Sequence, residues 1–269
     1  MGDTLVLDWI PFYEELADKL AAYRTRQQEL IDFLEELRAQ GCKVTPIEDK
    51  DETGHRFLLK EIDPFTFFGT FNRGIASDMR IRILTAIKTR FSVSAPVPSS
   101  FTGVPVLSAQ NSWFVGFHFV RKPGDVDRLW DVFTRALGDD AMANPAFAEA
   151  FDRALKVAYT NVNLTMGLFW IRPRKYLSLD GKMRDYLNAQ LPRDGLDFRF
   201  YKSTLERVRR EYKEDIPHLS HLAHLARVEG TTPPSSAVSS AANKGAEYWL
   251  VGAYWDDRDP KEPDKRTCL

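Results

Sequence analysis

The sequence predicts a mainly α-helical fold with minor strands: a compact helical domain, then a flexible linker and an isolated β-strand. Three observations support this fold class. Apolar residues recur at helical spacing in several segments. Helix-start signals, such as Asp followed by Pro, precede some of these segments. The stretch 162–171 is almost wholly apolar, which is typical of a helix buried on all sides.

In the N-terminal part of the chain, the sequence predicts a helical region followed by a loop. In residues 8–38, apolar side chains follow steps of one, three and four, which is helical periodicity. The polar stretch 23–29 is either the exposed middle of one helix or a bend between two. Residues 43–61 combine a proline, an acidic run and a glycine, so we expect a loop, in which 55–60 could form a short strand.

Two capping signals predict the next helices. Asp63 followed by Pro64 starts a helix that ends near residue 74, and Ser77 starts another that runs to residue 91. Prolines and glycine make 92–108 an irregular connection. The aromatic stretch 111–120 fits either a buried helix or a strand.

The second half of the chain repeats the amphipathic pattern, with caps or prolines at several boundaries. The predicted helices cover residues 125–137, 145–159, 162–171, 179–191, 197–213 and 217–226. The helical domain is therefore expected over 5–226.

Composition changes after residue 226. Residues 227–245 are rich in Gly, Thr, Pro, Ser and Ala, which predicts a flexible linker. Residues 247–255 form a strand by residue type, and a charged tail completes the segment 246–269. One strand is not a domain, so we expect a chain truncated at the start of a following β-rich module. The alternative is that this strand packs back onto the helical domain.

Bulk composition excludes several classes of protein. The chain has 269 residues, 43% hydrophobic and 28% charged, with a formal net charge of −1. A disordered chain and a globally basic nucleic-acid binder are excluded, so a nucleic-acid surface must be a local patch. The two cysteines, Cys42 and Cys268, are far apart and form no metal motif. We expect a cytoplasmic protein with no signal peptide, no membrane association and no cofactor.

Two local basic clusters are the strongest binding candidates. Each follows an apolar segment, so its cations lie at the edge of a rigid core, where phosphate contacts are made. A solvated or structural role explains the same residues, and Arg73 and Arg172 are candidates for burial. The candidate nucleic-acid-binding residues are Arg73, Arg80, Arg82, Lys88 and Arg90 in the first cluster, and Arg172, Arg174 and Lys175 in the second.

Catalytic and metal motifs are weak. The sequence contains no P-loop, GxGxxG, HExxH or GxSxG pattern. Glu211 and Lys213 have a nuclease-like spacing but fall in a predicted helix, which disfavours that role. His218, His221 and His224 are spaced by three, and we interpret them as the polar edge of an amphipathic helix rather than as metal ligands.

Four stretches carry a family resemblance. They read IDPFTFFGTFNRGI at 62–75, VPVL at 104–107, SWF at 112–114, and NLTMGLFWIRP at 163–173 with Leu179 and Asp180 beyond it. Together, over residues 8–226, they resemble the amino-terminal region that precedes the AAA+ motor in a subset of McrB-type restriction ATPases. Residues 248–253 resemble the start of a small β-rich module of such chains.

The resemblance implies a part of a modular anti-phage machine. Its front region recognises DNA, often modified DNA, its AAA+ motor hydrolyses nucleotide, and a separate nuclease subunit cuts. The motor motifs are absent from this sequence, so no ATPase or cleavage residue is transferred. We therefore expect a non-catalytic DNA-recognition or regulatory module. The alternatives are a scaffold that contacts the motor or a partner subunit, and a helical DNA-processing enzyme that uses Asp180.

Overall fold

Ten α-helices and one small sheet make up the regular structure of residues 5–109 and 112–230, the part of the chain that the computed structural model describes. The predicted mainly helical fold is confirmed. The helices are α1 Trp9–Leu20, α2 Gln27–Ala39, α3 Pro64–Gly69, α4 Ser77–Arg90, α5 Asp125–Leu137, α6 Pro145–Leu155, α7 Asn163–Ile171, α8 Gly181–Tyr186, α9 Phe198–Glu211 and α10 Ile216–Glu229. Strands β1 Glu48–Lys50 and β2 Arg56–Leu58 form an antiparallel hairpin.

Helix α7 lies at the centre of the core, as its apolar sequence predicted. All of its residues after Asn163 are buried, and it packs against α1, α3 and α5. Helix α5 also packs on α6, α6 on α9, and α8 on α10. The buried apolar side chains form a single cluster. Among the described helices, none combines the length and the apolar character that a membrane crossing requires.

Several local predictions are confirmed at residue level. A 3₁₀ turn, Ala21–Tyr23, separates α1 from α2, so the polar stretch is a bend between two helices. Asp63 caps α3, because its Oδ1 accepts hydrogen bonds from the backbone N–H groups of Phe65 and Thr66, and Pro64 takes the first helical position.

Other local expectations need correction. The loop expected over 43–61 contains both strands of the hairpin, since β2 finds a partner in β1. The described part of the stretch 111–120, residues 112–120, forms turns rather than a helix or a strand. Helix α10 continues to Glu229, three residues into the predicted linker, and ends at Gly230 in the left-handed conformation. The rest of the linker and the predicted C-terminal strand lie outside the described residues.

Asp63 makes stability depend on pH. Burial raises the pKa of its carboxyl to about 6, and its Oδ2 has no hydrogen-bond partner among the described residues. The folded state binds this proton more tightly than the unfolded state, so the stability that Asp63 contributes is present below about pH 4 and is lost as the pH rises through 6. Asn keeps the capping oxygen without the charge.

We expect Asp63→Asn to gain stability relative to the wild type by roughly 2 kcal/mol between pH 4 and pH 7. Urea titrations of both proteins across this range measure the difference in the free energy of unfolding. A difference that stays constant with pH would contradict a raised pKa at this carboxyl.

Candidate nucleic-acid interface

Arg73 is an interior tie between three chain segments. Arg73 is only 7% exposed, and its guanidinium donates three hydrogen bonds to backbone carbonyls. The acceptors are the oxygens of Ala109 at 2.8 Å, Lys43 at 2.8 Å and Val44 at 2.6 Å. The backbone next to Arg73 is held as well, because the Leu107 N–H donates a hydrogen bond to the Asn72 carbonyl. Arg73 therefore has a structural role.

Arg80 is also interior. The residue is 6% exposed, its guanidinium lies 4.7 Å from the centroid of the Phe101 ring, and it donates to the Arg73 carbonyl at 3.4 Å. Burial lowers the pKa of this guanidinium. A side chain in this position is not available to a large ligand.

The remaining cations of the first cluster differ in availability. Lys88 donates to the carbonyl oxygens of Val93, Ser94 and Ala95, which closes the turn after α4. Arg82 is exposed and donates to the Gln40 carbonyl at 2.5 Å. Arg90 is exposed at the end of α4. Arg82 and Arg90 are thus the members of this cluster that face solvent.

The second cluster is compensated by acidic and carbonyl groups. Arg172 pairs with Asp18 at 2.5 Å, and Arg174 pairs with Asp215. Lys175 donates to the Gly138 carbonyl. No hydrogen bond or ion pair between described residues joins this cluster to the first. Its cations therefore already have partners within the domain.

A set of cations that shares only Arg73 with the first cluster converges on an open cleft of about 420 Å³. The cleft lies between the end of α2, the segment 42–48 and strand β2. Four cationic side chains and one carboxylate line it. They are Arg38, Lys43, Arg56, Arg73 and Glu48. We call this the cationic cleft.

The cationic cleft keeps an excess of positive charge. Glu48 is shared by two guanidiniums, Arg38 at 3.3 Å and Arg56 at 3.8 Å, and Arg38 also approaches Glu35 at 3.8 Å. Among the described residues, neither Lys43 nor Arg73 takes part in an ion pair. An anion entering the cleft would therefore meet more positive than negative charge.

Local backbone geometry explains this convergence. Gly41, with φ of 81°, ends α2 and redirects the chain after Arg38. In β1, Glu48 is exposed and Asp49 is buried, because side chains alternate along a strand. The hairpin then returns Arg56 opposite Lys50. Sequence reasoning missed Arg38, Lys43 and Arg56, because they are separated and interleaved with acidic residues.

An aromatic turn, defined as residues 113–120, borders the cationic cleft. The Trp113 indole N–H donates to the carbonyl of Pro46, a cleft residue, at 2.7 Å. The Trp113 and Phe117 ring centroids are 5.4 Å apart. Phe117 and Phe119 are 40% and 50% exposed, with ring centroids 6.0 Å apart and planes inclined by 10°. The turn thus presents two nearly parallel rings to solvent.

A buried ion pair holds the aromatic turn. Arg121 pairs with Asp49 at 2.9 Å and with Glu61 at 3.0 Å, and it donates to the Gly116 carbonyl. The other Asp49 oxygen accepts from the His118 backbone N–H at 2.8 Å. Since Asp49 belongs to β1, these bonds tie the turn to the hairpin that borders the cleft.

The other candidates have local roles. Asp180 caps α8 by accepting from the Met183 N–H at 2.9 Å. His224 Nδ1 lies 3.1 Å from the Lys182 ammonium, and burial together with this ammonium lowers the pKa of His224. Within the described ranges, no group of three or more potential ligands could hold a metal ion.

The described residues form a helical domain with an open cationic cleft and, bordering it, a turn with exposed aromatic rings. The chain belongs to the family described as Domain of unknown function (DUF8425), whose model matches residues 9–226. Comparison with curated proteins gives no match, and comparison with solved structures gives none either.

Proposed function

We propose that this chain is a non-catalytic nucleic-acid recognition module of an McrB-like restriction system, acting on DNA, including modified DNA. Its partners would be DNA, an AAA+ motor and a nuclease subunit, by resemblance. We also propose a cytoplasmic location, in which the free thiol of Cys42 stays reduced. The observation that carries the proposal is the cationic cleft.

The cleft has the chemistry of a phosphate-contact surface. Arg and Lys side chains from four different segments surround an open depression, and a single carboxylate is shared between two of them. Arg73 adds positive charge to the lining of the cleft. Backbone carbonyls hold its guanidinium in place, and no carboxylate of the described residues neutralises it. Arg82 lies close by, since it donates to Gln40, just beyond α2. This arrangement favours a polyanion over a single small anion.

The proposal predicts salt-sensitive binding that depends on three exposed cleft cations. We expect the triple charge reversal to weaken DNA binding on the order of 100-fold at low salt, and we expect wild-type affinity to fall steeply with salt, by roughly 0.9 log units per phosphate contact for each decade. Fluorescence anisotropy with labelled oligonucleotides, plain and base-methylated, measures both effects. The substitutions are Arg38→Glu, Lys43→Glu and Arg56→Glu.

A matched control carries the same change in net charge on a distant part of the chain. Its three cations are exposed and lie on or next to α9. We expect it to bind within about threefold of the wild type, because screening weakens distant charges. Equal loss in both triple variants, or no loss in the cleft variant, would contradict the cleft as the binding site. The control substitutions are Arg193→Glu, Arg199→Glu and Arg210→Glu.

A further inference from the structure

We propose that the aromatic turn, together with Tyr159, binds unpaired nucleobases by stacking, so that the ligand of this module is single-stranded or locally opened nucleic acid. This inference rests on the proposed function and specifies its ligand. The cleft would hold phosphates, and the rings of Phe117, Phe119 and Tyr159 would hold bases.

The three rings are unusually exposed for large aromatic side chains. Phe117 is 40% exposed, Phe119 is 50% exposed and Tyr159 is 53% exposed. Most phenylalanines of this domain are buried in its core. A contiguous group of exposed apolar rings, unlike a single exposed ring, is a feature of binding surfaces. A flat, nearly parallel pair of rings offers an outer face on which a base can stack, whatever its sequence.

Tyr159 lies beside the aromatic turn. A Cβ placed on Gly116 would come within 3.1 Å of Cε2 of Tyr159, so the Tyr159 ring lies over the Gly116 backbone. The absence of a side chain at Gly116 makes this approach possible. The exposed rings of Tyr159 and the turn therefore belong to neighbouring parts of one surface.

The backbone around Tyr159 is strained. Tyr159 has φ of 71°, in the left-handed region that bulky residues avoid, whereas Asn161, with φ of 36°, is of a residue type that tolerates this region. Thr160, between them, is buried and donates from Oγ1 to the Phe114 carbonyl at 2.7 Å. Strain of this kind persists where the surrounding structure holds it, and it concentrates at functional sites.

Cationic side chains lie next to the aromatic surface. This favours a nucleic acid over an apolar protein segment as the ligand. Phe57 pairs with Asp49 on the face of the hairpin that contacts the turn, and its ring centroid is 5.6 Å from that of His118, next to Phe117. The Lys60 ammonium lies 5.7 Å from the Phe57 centroid. Aromatic rings interleaved with cations are typical of single-strand binding surfaces. The turn itself borders the cleft through the hydrogen bond between Trp113 and Pro46.

The test compares a single-stranded oligonucleotide, such as an oligothymidine, with a duplex. We expect the double variant Phe117→Ala and Phe119→Ala to lose about ten- to hundred-fold in single-strand affinity and less than threefold in duplex affinity. The dependence of log K on salt stays unchanged, because no phosphate contact is removed. Both rings are exposed, so the fold is retained, which circular dichroism and urea titration verify.

Two controls separate stacking from loss of apolar surface. Replacing other exposed apolar residues, Ile81→Ala and Val106→Ala, removes apolar area elsewhere and is expected to leave affinity unchanged. Phe119→Tyr keeps a ring and is expected to bind within about threefold of the wild type.

The outcomes separate the two proposals. If the double variant loses affinity for single strands alone, stacking is supported. If the cleft variant loses affinity for both single strands and duplex, the cleft is supported as the phosphate-binding site. Full single-strand affinity in the double variant, with the cleft variant still impaired, overturns stacking and leaves the proposed function standing. A wild-type chain that binds neither oligonucleotide at low salt overturns both proposals, and the aromatic surface is then assigned to a protein partner.

Discussion

Gly167→Ala is expected to destabilise the domain by about 3 kcal/mol, because the added methyl group has no room. Gly167 lies in the central helix α7, where a Cβ would come within 2.4 Å of Cδ1 of Phe65. Phe65 cannot withdraw, since its ring centroid lies 5.4 Å from that of Phe114 and 5.7 Å from that of Phe133. The usual helical gain of about 1 kcal/mol for Gly to Ala does not offset this overlap.

Gly181→Ala is the matched control, because Gly181 begins helix α8 and a Cβ there meets no atom of the described residues within 4 Å. We expect it to leave stability unchanged or to raise it by up to about 1 kcal/mol. Urea titration followed by tryptophan fluorescence compares the two variants. Equal stability of the two would show that α3 and α7 do not cross as closely as described.

Arg73→Met is expected to destabilise the domain by roughly 4 kcal/mol, because it removes three charge-assisted hydrogen bonds, one of them buried, and leaves three carbonyl oxygens without this donor. Methionine fills much of the same volume, so the loss is mainly polar. The variant releases the segment 43–44 from residues 73 and 109, the connection on which one wall of the cationic cleft depends. We therefore expect weaker DNA binding to accompany the loss of stability.

Arg82→Met provides the comparison for Arg73→Met. Arg82 is exposed and donates to one carbonyl, that of Gln40, so its replacement should cost less than about 1 kcal/mol. The free energies of unfolding of both variants come from urea titration. If Arg73→Met were no less stable than Arg82→Met, the role of Arg73 as an interior tie would be wrong.

The local features of the fold were predictable because they depend on neighbouring residues. Helix α5 has the predicted bounds, since its apolar spacing and the glycines at both ends act within a few residues. Asp63 and Pro64 start α3 for the same reason. The stretch 112–120 was not predictable, because its aromatic residues suit helix and strand alike. Its turn is set by Asp49 and Thr66, which come from elsewhere in the chain.

The candidate site also combines features that the sequence predicted with features that it did not. The sequence indicated that cations beside the core were candidates, including Arg73 and Arg82, but spacing could not tell a buried arginine from a solvent-facing one. Burial depends on carbonyls 29 to 36 residues away, which accept from Arg73. Arg38 and Arg56 join the site only because Gly41 and the hairpin reverse the chain between them.

The sequence by itself therefore determined the helical fold class, the central position of α7 and the caps that start several helices, because periodicity and capping act over one or two turns. Only the tertiary structure decided which cations are structural and which line a cleft, and which aromatic rings remain in water. Those outcomes depend on contacts between residues far apart in the chain, and burial and net local charge are properties of such contacts.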